Sequence, residues 1–557
     1  MRKRSPVRTL PAALVALALA VASACGGDDD DDADSDVADT PGATSAVTSG
    51  DTGDSAAPAS TVSEEGDDGD AADDGEPVAG GEIVVLYGAD PSTLDPVPGN
   101  SGGDHMSLYP MYDRLVNFDP DTLEPLPGLA TEWDQPDPQT LVLTLREGVT
   151  FHDGTPFDAE AVVYNLERAR TLDRSTVAGD LTMIESVEAT GPHEVTIHMN
   201  RPDASLLLML ADRAGMMVSP TAVEEHGDEF GLHPVGTGPF RFVEWRQGDR
   251  LVLEKNPDYW QEGKPYLDRI TFRYITDVQT VTNALRTRDG DVALRFAASE
   301  VETLGVDDVR IEIHPSLYTI LCFYNFSRPP FDDARVRRAA AFAIDREAMN
   351  EGLAYGLSEP AHQVFPPGYW AADPGLHDTF AHDLEQARAL MAEAGYEDGV
   401  SIRGVTYTGT QQTRMMEIVQ AQLGEIGIDM SIESLEVGSA TSRFFEDLAY
   451  ELYCAAWTGR PDPSQTANSM FSPDGFYNAG GYESPGMVEA LDRAGSELDP
   501  EARAEAFHEV MRLSQEDGLY LPLLHQPDIT AFYDDIAGFT PNLYGKVDVS
   551  FMWRTSS

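Results

Sequence analysis

The chain has 557 residues, 96 of them acidic and 37 basic, for a formal net charge of −59. That balance excludes a nucleic-acid partner, since neutralising phosphates takes clustered Lys and Arg, and four lysines (Lys3, Lys255, Lys264, Lys546) make no polybasic membrane patch. Three cysteines exclude a disulfide scaffold and a four-cysteine metal site, and at roughly 100–200 residues per domain the length predicts two or three domains.

Arg2, Lys3, Arg4 and Arg8 precede an apolar run from Leu10 to Ala24. That run is shorter than the roughly 20 residues a spanning helix needs, so residues 1–24 read as a secretory signal and the protein as exported. Ala22-Ser23-Ala24-Cys25 resembles a bacterial lipobox with Ala22 in place of the usual Leu, which makes Cys25 the expected lipidation site. The alternative is ordinary cleavage after Ala24, with Cys25 incidental. From Gly26 to Gly80 there are 15 Asp and three Glu but no Lys or Arg, so residues 25–80 read as a lipidated Cys followed by a solvated acidic tether.

Beyond the tether, strands and helices alternate. Ile83 to Tyr87 opens as a buried strand, and Leu141, Leu143 and Leu145, then Val195 and Ile197, alternate with polar neighbours as half-buried strands. Asp158 is placed to cap a helix bearing Val162, Leu166 and Ala169. Later apolar stripes (Leu384 to Ala394, then Met415 to Ile426) end at Gly395 and Gly427, and Ile428, Met430 and Ile432 form a strand. Asp499-Pro500 starts a last helix bearing Ala506, Val510 and Leu513. Interleaving of this kind predicts α/β lobes with partly parallel sheets.

Motifs for chemistry are few. Gly99-Asn100-Ser101-Gly102-Gly103 matches G-x-S-x-G, but a nucleophile elbow needs a strand before it and a helix after it, and both flanks read as loop. His508-Glu509 is followed at the zinc-ligand spacing by Arg512, and no phosphate loop or dinucleotide fingerprint occurs. No metal and no cofactor are therefore expected. Phe151 to Pro156 reads as a turn between strand and helix. Cys322 and Cys454 lie in apolar strand-like runs; in an exported chain they either pair, if their strands are neighbours, or remain two buried thiols.

Several ordered blocks carry a resemblance. They are Leu94-Asp95-Pro96 with Met111 to Val116; Pro127 to Trp133 with Leu145 to Pro156; Gly236-Thr237-Gly238-Pro239-Phe240 with Asn256 to Trp260; Pro329 to Asp333 with Arg335-Val336-Arg337 and Ala343 to Arg346; and Leu423 to Ile428. From about Gly81 to Arg554 the chain resembles the family 5 extracellular solute-binding proteins of ABC importers, the dipeptide and oligopeptide-binding group. The resemblance implies an α/β fold of the two-lobed periplasmic-binding-protein type, with an extra subdomain in the first lobe and a two-segment hinge. Lobe I is expected at 81–118, 233–275 and 525–557, the inserted subdomain at 119–232, and lobe II at 276–524. It implies binding and handover without bond breaking: a monomer that closes on a small, peptide-like solute and delivers it to the permease subunits, held at the outer face of the bacterial cytoplasmic membrane through its lipid alone. Gly236 to Pro239 is expected to turn with positive φ, and Asp345 and Arg346 to cap a helix and pair.

For the pocket, the resemblance points to Trp457-Thr458-Gly459-Arg460, just after a strand. Peptide-binding relatives carry an acidic residue after such a segment to capture an ammonium group; Arg460 stands there instead. Its fork of donors suits a carboxylate or phosphate, unless it pairs with Asp462 or another acid. Trp457 either stacks on the ligand or fills core. Tyr324, Asn325, Tyr87, Asp95, Tyr477 and Asn478 complete the expected lining. Within the same fold, nickel chelates or oligosaccharides are alternative ligands. The rivals of another class are a secreted serine hydrolase using Ser101 and a surface sensor or chaperone that traps unfolded segments.

Overall fold

The computed structural model describes residues 76–99 and 102–555. The expected signal, Cys25, most of the tether and Ser101 lie outside the described residues.

The abundant aspartates start helices. Asp158, Asp277, Asp333, Asp345, Asp383, Asp462 and Asp499 are N-caps whose carboxylates each accept a backbone N–H of the first turn, at about 1 kcal/mol per cap. The helix Leu384–Glu393 buries Ala387 and Met391, and the helix Pro500–Glu516 buries Ala506 and Val510, in keeping with their stripes. Asp345 caps as expected but does not pair with Arg346. That guanidinium is buried among carbonyls instead, donating to Ala361, Pro522, Ala341, Ile344 and Phe380. Burial lowers its pKa to about 10.

One 11-stranded sheet runs through both lobes. In lobe I, Glu82–Tyr87 lies between parallel partners Arg269–Tyr274 and Val292–Ala293. In lobe II, Val400–Tyr407 lies between parallel partners Ile428–Leu435 and Leu452–Thr458. Two long antiparallel strands, Val309–Tyr324 and Tyr520–Tyr533, join the halves. Their register shifts between His314 and Tyr318, opposite the stretch from Gln526 to Asp528. Pro315 and Pro527 sit at this break, and neither can donate a ladder hydrogen bond. Residues on one side of it (Val309, Ile311, Ile529, Phe532) pack on the first core; those on the other (Leu317 to Tyr324, Tyr520 to Leu524) pack on the second. The inserted subdomain has its own core beneath the sheet of Ala130–Asp137, Thr140–Leu145, Glu194–Met199 and Ile184–Gly191.

These cores move the expected boundaries. The chain does not leave lobe I at residue 276: Ala284, Leu285, Val292, Phe296 and Leu304 fill the first core, so the first crossing lies at 315–317. The subdomain gives way to lobe I by Val218, before the expected residue 232, since Ala222, Val223 and Phe230 also belong to that core.

Cys322 and Cys454 are directly opposed on neighbouring antiparallel strands and form a disulfide, with Cα atoms 3.9 Å apart. The glycines of Gly236-Thr237-Gly238 do not have positive φ. They are required by close approach: a Cβ on Gly236 would lie 2.1 Å from the Met111 carbonyl oxygen, and one on Gly238 2.4 Å from its carbon.

Candidate functional site at the lobe seam

The strand Leu452–Thr458 ends where lobe II faces lobe I. A Cβ on Gly102 of lobe I would come within 2.6 Å of Thr458 Oγ1, so the lobes touch here. Gly459 follows in close approach to the crossing strand: a Cβ there would lie only 2.2 Å from Leu317 Cβ, and this fixes where Arg460 begins. Arg460 is half-buried. Its Nη1 donates to the carbonyls of Thr458 (2.8 Å) and Gly459 (3.1 Å). The expected alternative partner, Asp462, caps a helix and pairs with Arg503 at 2.9 Å. Among the described residues no carboxylate forms an ion pair with Arg460, and its Nε and Nη2 have no hydrogen-bond partner.

Trp457 is buried: its Nε1 donates to Thr466 Oγ1 at 3.2 Å, its ring meets Tyr477 edge-on, and the Arg460 guanidinium lies 5.1 Å from its centroid. Core filling and proximity to the seam therefore coexist in one side chain. Tyr87 ends the first strand of lobe I and donates to the Gly103 carbonyl at 3.1 Å. Burial raises its pKa, opposed by the nearby Arg295.

The other expected residues are engaged elsewhere. Asp95 is buried in a bidentate ion pair with Arg168 (3.0 and 2.5 Å). Asn325 donates to the Leu448 and Tyr450 carbonyls and accepts from Ser327, which uses its amide fully. The Tyr324 hydroxyl donates to the Arg337 carbonyl, and Asn478 bridges Ser472 and Tyr482. Buried side chains saturated in this way build scaffold.

Lobe I, the inserted subdomain and the C-terminal tail bring a polar cluster that local sequence did not disclose. His105 opens the short helix His105–Leu108, where a loop was expected. Its Nε2 lies 2.5 Å from Asp212 Oδ1, and the Tyr544 hydroxyl donates to Asp212 Oδ2 at 3.1 Å. Lys546 Nζ donates to the Tyr544 hydroxyl. Burial and the Lys546 charge, acting against Asp212, take the His105 pKa down to about 3, and its Nδ1 faces the Gly102 carbonyl at 3.2 Å. Burial works to raise the Asp212 carboxyl, but His105, Lys546 and Arg213 together hold it well below the usual range. Lys546 itself is pushed well down by burial, against the pull of Asp212, with Arg460, Arg213 and Arg295 all adding to the push. Asp180 and Asp528, two further acids of the region, are raised by burial. Arg460 and Arg213 thus lie near the Asp212 carboxylate with Lys546 beside them, and Arg295 lies near Asp528. Below them, at the crossing, a cavity of about 270 Å³ is lined by Arg295, Ser316, Tyr318, Gln526, Asp528 and Gly545.

The family model for bacterial extracellular solute-binding proteins, family 5 Middle, matches residues 124–478. The chain belongs to this family. It is 29% identical over 474 residues to the glutathione-binding protein GsiB of Salmonella paratyphi A, covering 83% of this chain and 92% of that protein. It is also similar to the periplasmic binding protein DppA of Helicobacter pylori in complex with the peptide STSA, with a TM-score of 0.77 and 26% identity over 86% of this chain and 98% of that one. The dipeptide-binding protein of Pseudoalteromonas sp. SM9913, in complex with Met-Leu, shares the fold at a TM-score of 0.76 and 24% identity, over 85% of this chain and 100% of that one. In this family 5 protein, then, the seam lies between the lobes of a two-lobed solute-binding fold. Among the described residues no helix is long and apolar enough to cross a membrane, and no three His, Cys, Asp or Glu side chains group to hold a metal ion.

Arg460 was accessible to sequence reasoning because it follows a recognisable strand, Leu452–Thr458. Asp212, Arg213, Arg295, Tyr544 and Lys546 were not, because they come from three distant parts of the chain. The one available signal was the rarity of lysine, which left Lys546 alone in the tail.

Proposed function

We propose that the protein captures short acidic peptides or peptide-like solutes by lobe closure and hands them to the permease of an ABC importer. Residues 1–24 direct export, Cys25 carries the lipid that holds the protein at the outer face of the cytoplasmic membrane, and the protein acts as a monomer without altering its solute. The observation that carries the solute class is Arg460, whose guanidinium forms no ion pair among the described residues at a seam where Arg213 and Arg295 also lie, although Asp212 and Asp180 are nearby. A charge held in such a place is stabilised by an anionic ligand group. The similarity to a glutathione-binding protein supports a solute with more than one carboxylate. A ligand touching both lobes favours closure only by its greater affinity for the closed form.

Calorimetric titration of the purified protein with glutathione, with free-acid di- and tripeptides and with their C-terminal amides tests the solute class. A charge-assisted hydrogen bond contributes roughly 1.5–3 kcal/mol, so each amide should bind about ten- to a hundredfold more weakly than its acid. Equal affinities for acids and amides would refute it.

A further inference from the structure

A second cavity, of about 680 Å³, lies away from the crossing and is walled by the inserted subdomain on one side and lobe II on the other. Trp133, Leu141, Leu206 and Leu207 face Tyr369 and Trp370 across it. One edge is closed by a backbone hydrogen bond between the two bodies, from Ala204 N–H to the Gly495 carbonyl at 2.9 Å. The cavity adjoins the seam through the tail: Leu543 lines it, and the next residue, Tyr544, bonds to Asp212. The two regions differ sharply in chemistry. Cations gather at the seam, whereas this cavity is lined by indoles and leucines, and its charged lining residues are Asp121, Glu124, Asp203, Glu497 and Arg503, the last already paired with Asp462.

We propose that this cavity is a subsite for an apolar, uncharged portion of the solute whose carboxylate is held at the seam. The assignment rests on the carboxylate role proposed for the seam. An acidic lining excludes a second carboxylate, and walls drawn from both bodies mean that filling the cavity favours closure. The bound solute is therefore bipolar: anionic at the Arg460 end and apolar at the subdomain end.

Glutathione and S-hexylglutathione, which differ by one apolar chain, are the probes, and binding is read by calorimetry. In the unmodified protein the hexyl chain should tighten binding at least tenfold, as expected from about 0.8 kcal/mol per buried CH₂. Leu207→Trp, which fills the cavity from a half-buried position, should abolish that gain and leave glutathione binding unchanged. Trp370→Ala, checked for an intact thermal transition, should reduce the gain. A hexyl chain that gives no gain, or a gain that survives Leu207→Trp, overturns the subsite while leaving the seam intact. Failure of both probes to bind the unmodified protein overturns the seam assignment and the subsite with it. Two hexyl molecules bound per chain would show an independent occupant and also refute the proposal.

Discussion

Arg460 uses one nitrogen on the carbonyls that end its own strand and leaves the rest of its fork without a protein partner among the described residues. Removing it should therefore affect ligand choice more than folding. Arg460→Asp is expected to weaken acidic peptides by about ten- to a hundredfold, the scale of a charged hydrogen bond, with a change in denaturant stability of less than about 1 kcal/mol. Unchanged binding of every peptide would contradict its role. His525 behaves oppositely. It is buried against Thr319, whose hydroxyl donates to the Val364 carbonyl and so accepts from His525 Nδ1 at 2.9 Å. Burial lowers its pKa to about 3. The unfolded chain therefore binds the extra proton first, and stability falls as pH drops below the unfolded value near 6.5. Between pH 7.5 and 5 the unmodified protein should lose about 2 kcal/mol more than His525→Gln, by urea denaturation at both pH values. Equal losses would show that the ring is charged in the fold. The limits of sequence reading are visible in the same residues. Asn325 and Asp95 were expected in the ligand lining, but their tertiary partners, the Leu448 and Tyr450 carbonyls and Arg168, show that they are engaged within the fold.

Individual elements were easier to read because their signals are local. Caps, stripes and terminal glycines placed the helices after Asp158, Asp383 and Asp499. The crossing strands were harder. Val309–Tyr324 is a continuous strand, and nothing in its residue pattern says that it changes cores at Pro315; only the register break against Gln526 to Asp528 does. The Cys322–Cys454 disulfide ties this strand, just past the crossing, to the strand that carries Arg460. It closes a loop across 132 residues of separation. Double replacement by Ala should lower stability by about 2–4 kcal/mol, as measured by denaturation with and without reductant, with reductant having no further effect on the variant. A variant as stable as the oxidised parent would argue against a structural bond.

At the scale of the whole molecule, capture requires two bodies that approach each other. Gly102 of lobe I and Thr458 of lobe II lie so close that a side chain at Gly102 cannot be accommodated without a shift. Gly102→Val should resist closure, at a cost typical of overpacking of about 1–3 kcal/mol. That corresponds to roughly 5- to 150-fold weaker peptide binding, with little change in the thermal transition of the unliganded protein. Equal affinity would mean that closure does not bring these residues together. The most direct measurement is the distance between spin labels at Glu132→Cys, on the inserted subdomain, and Glu489→Cys, on lobe II, both exposed positions. Saturation with the tightest-binding acidic peptide should shorten and narrow the distance distribution. A distribution that stays the same while the peptide is bound would contradict capture by lobe closure.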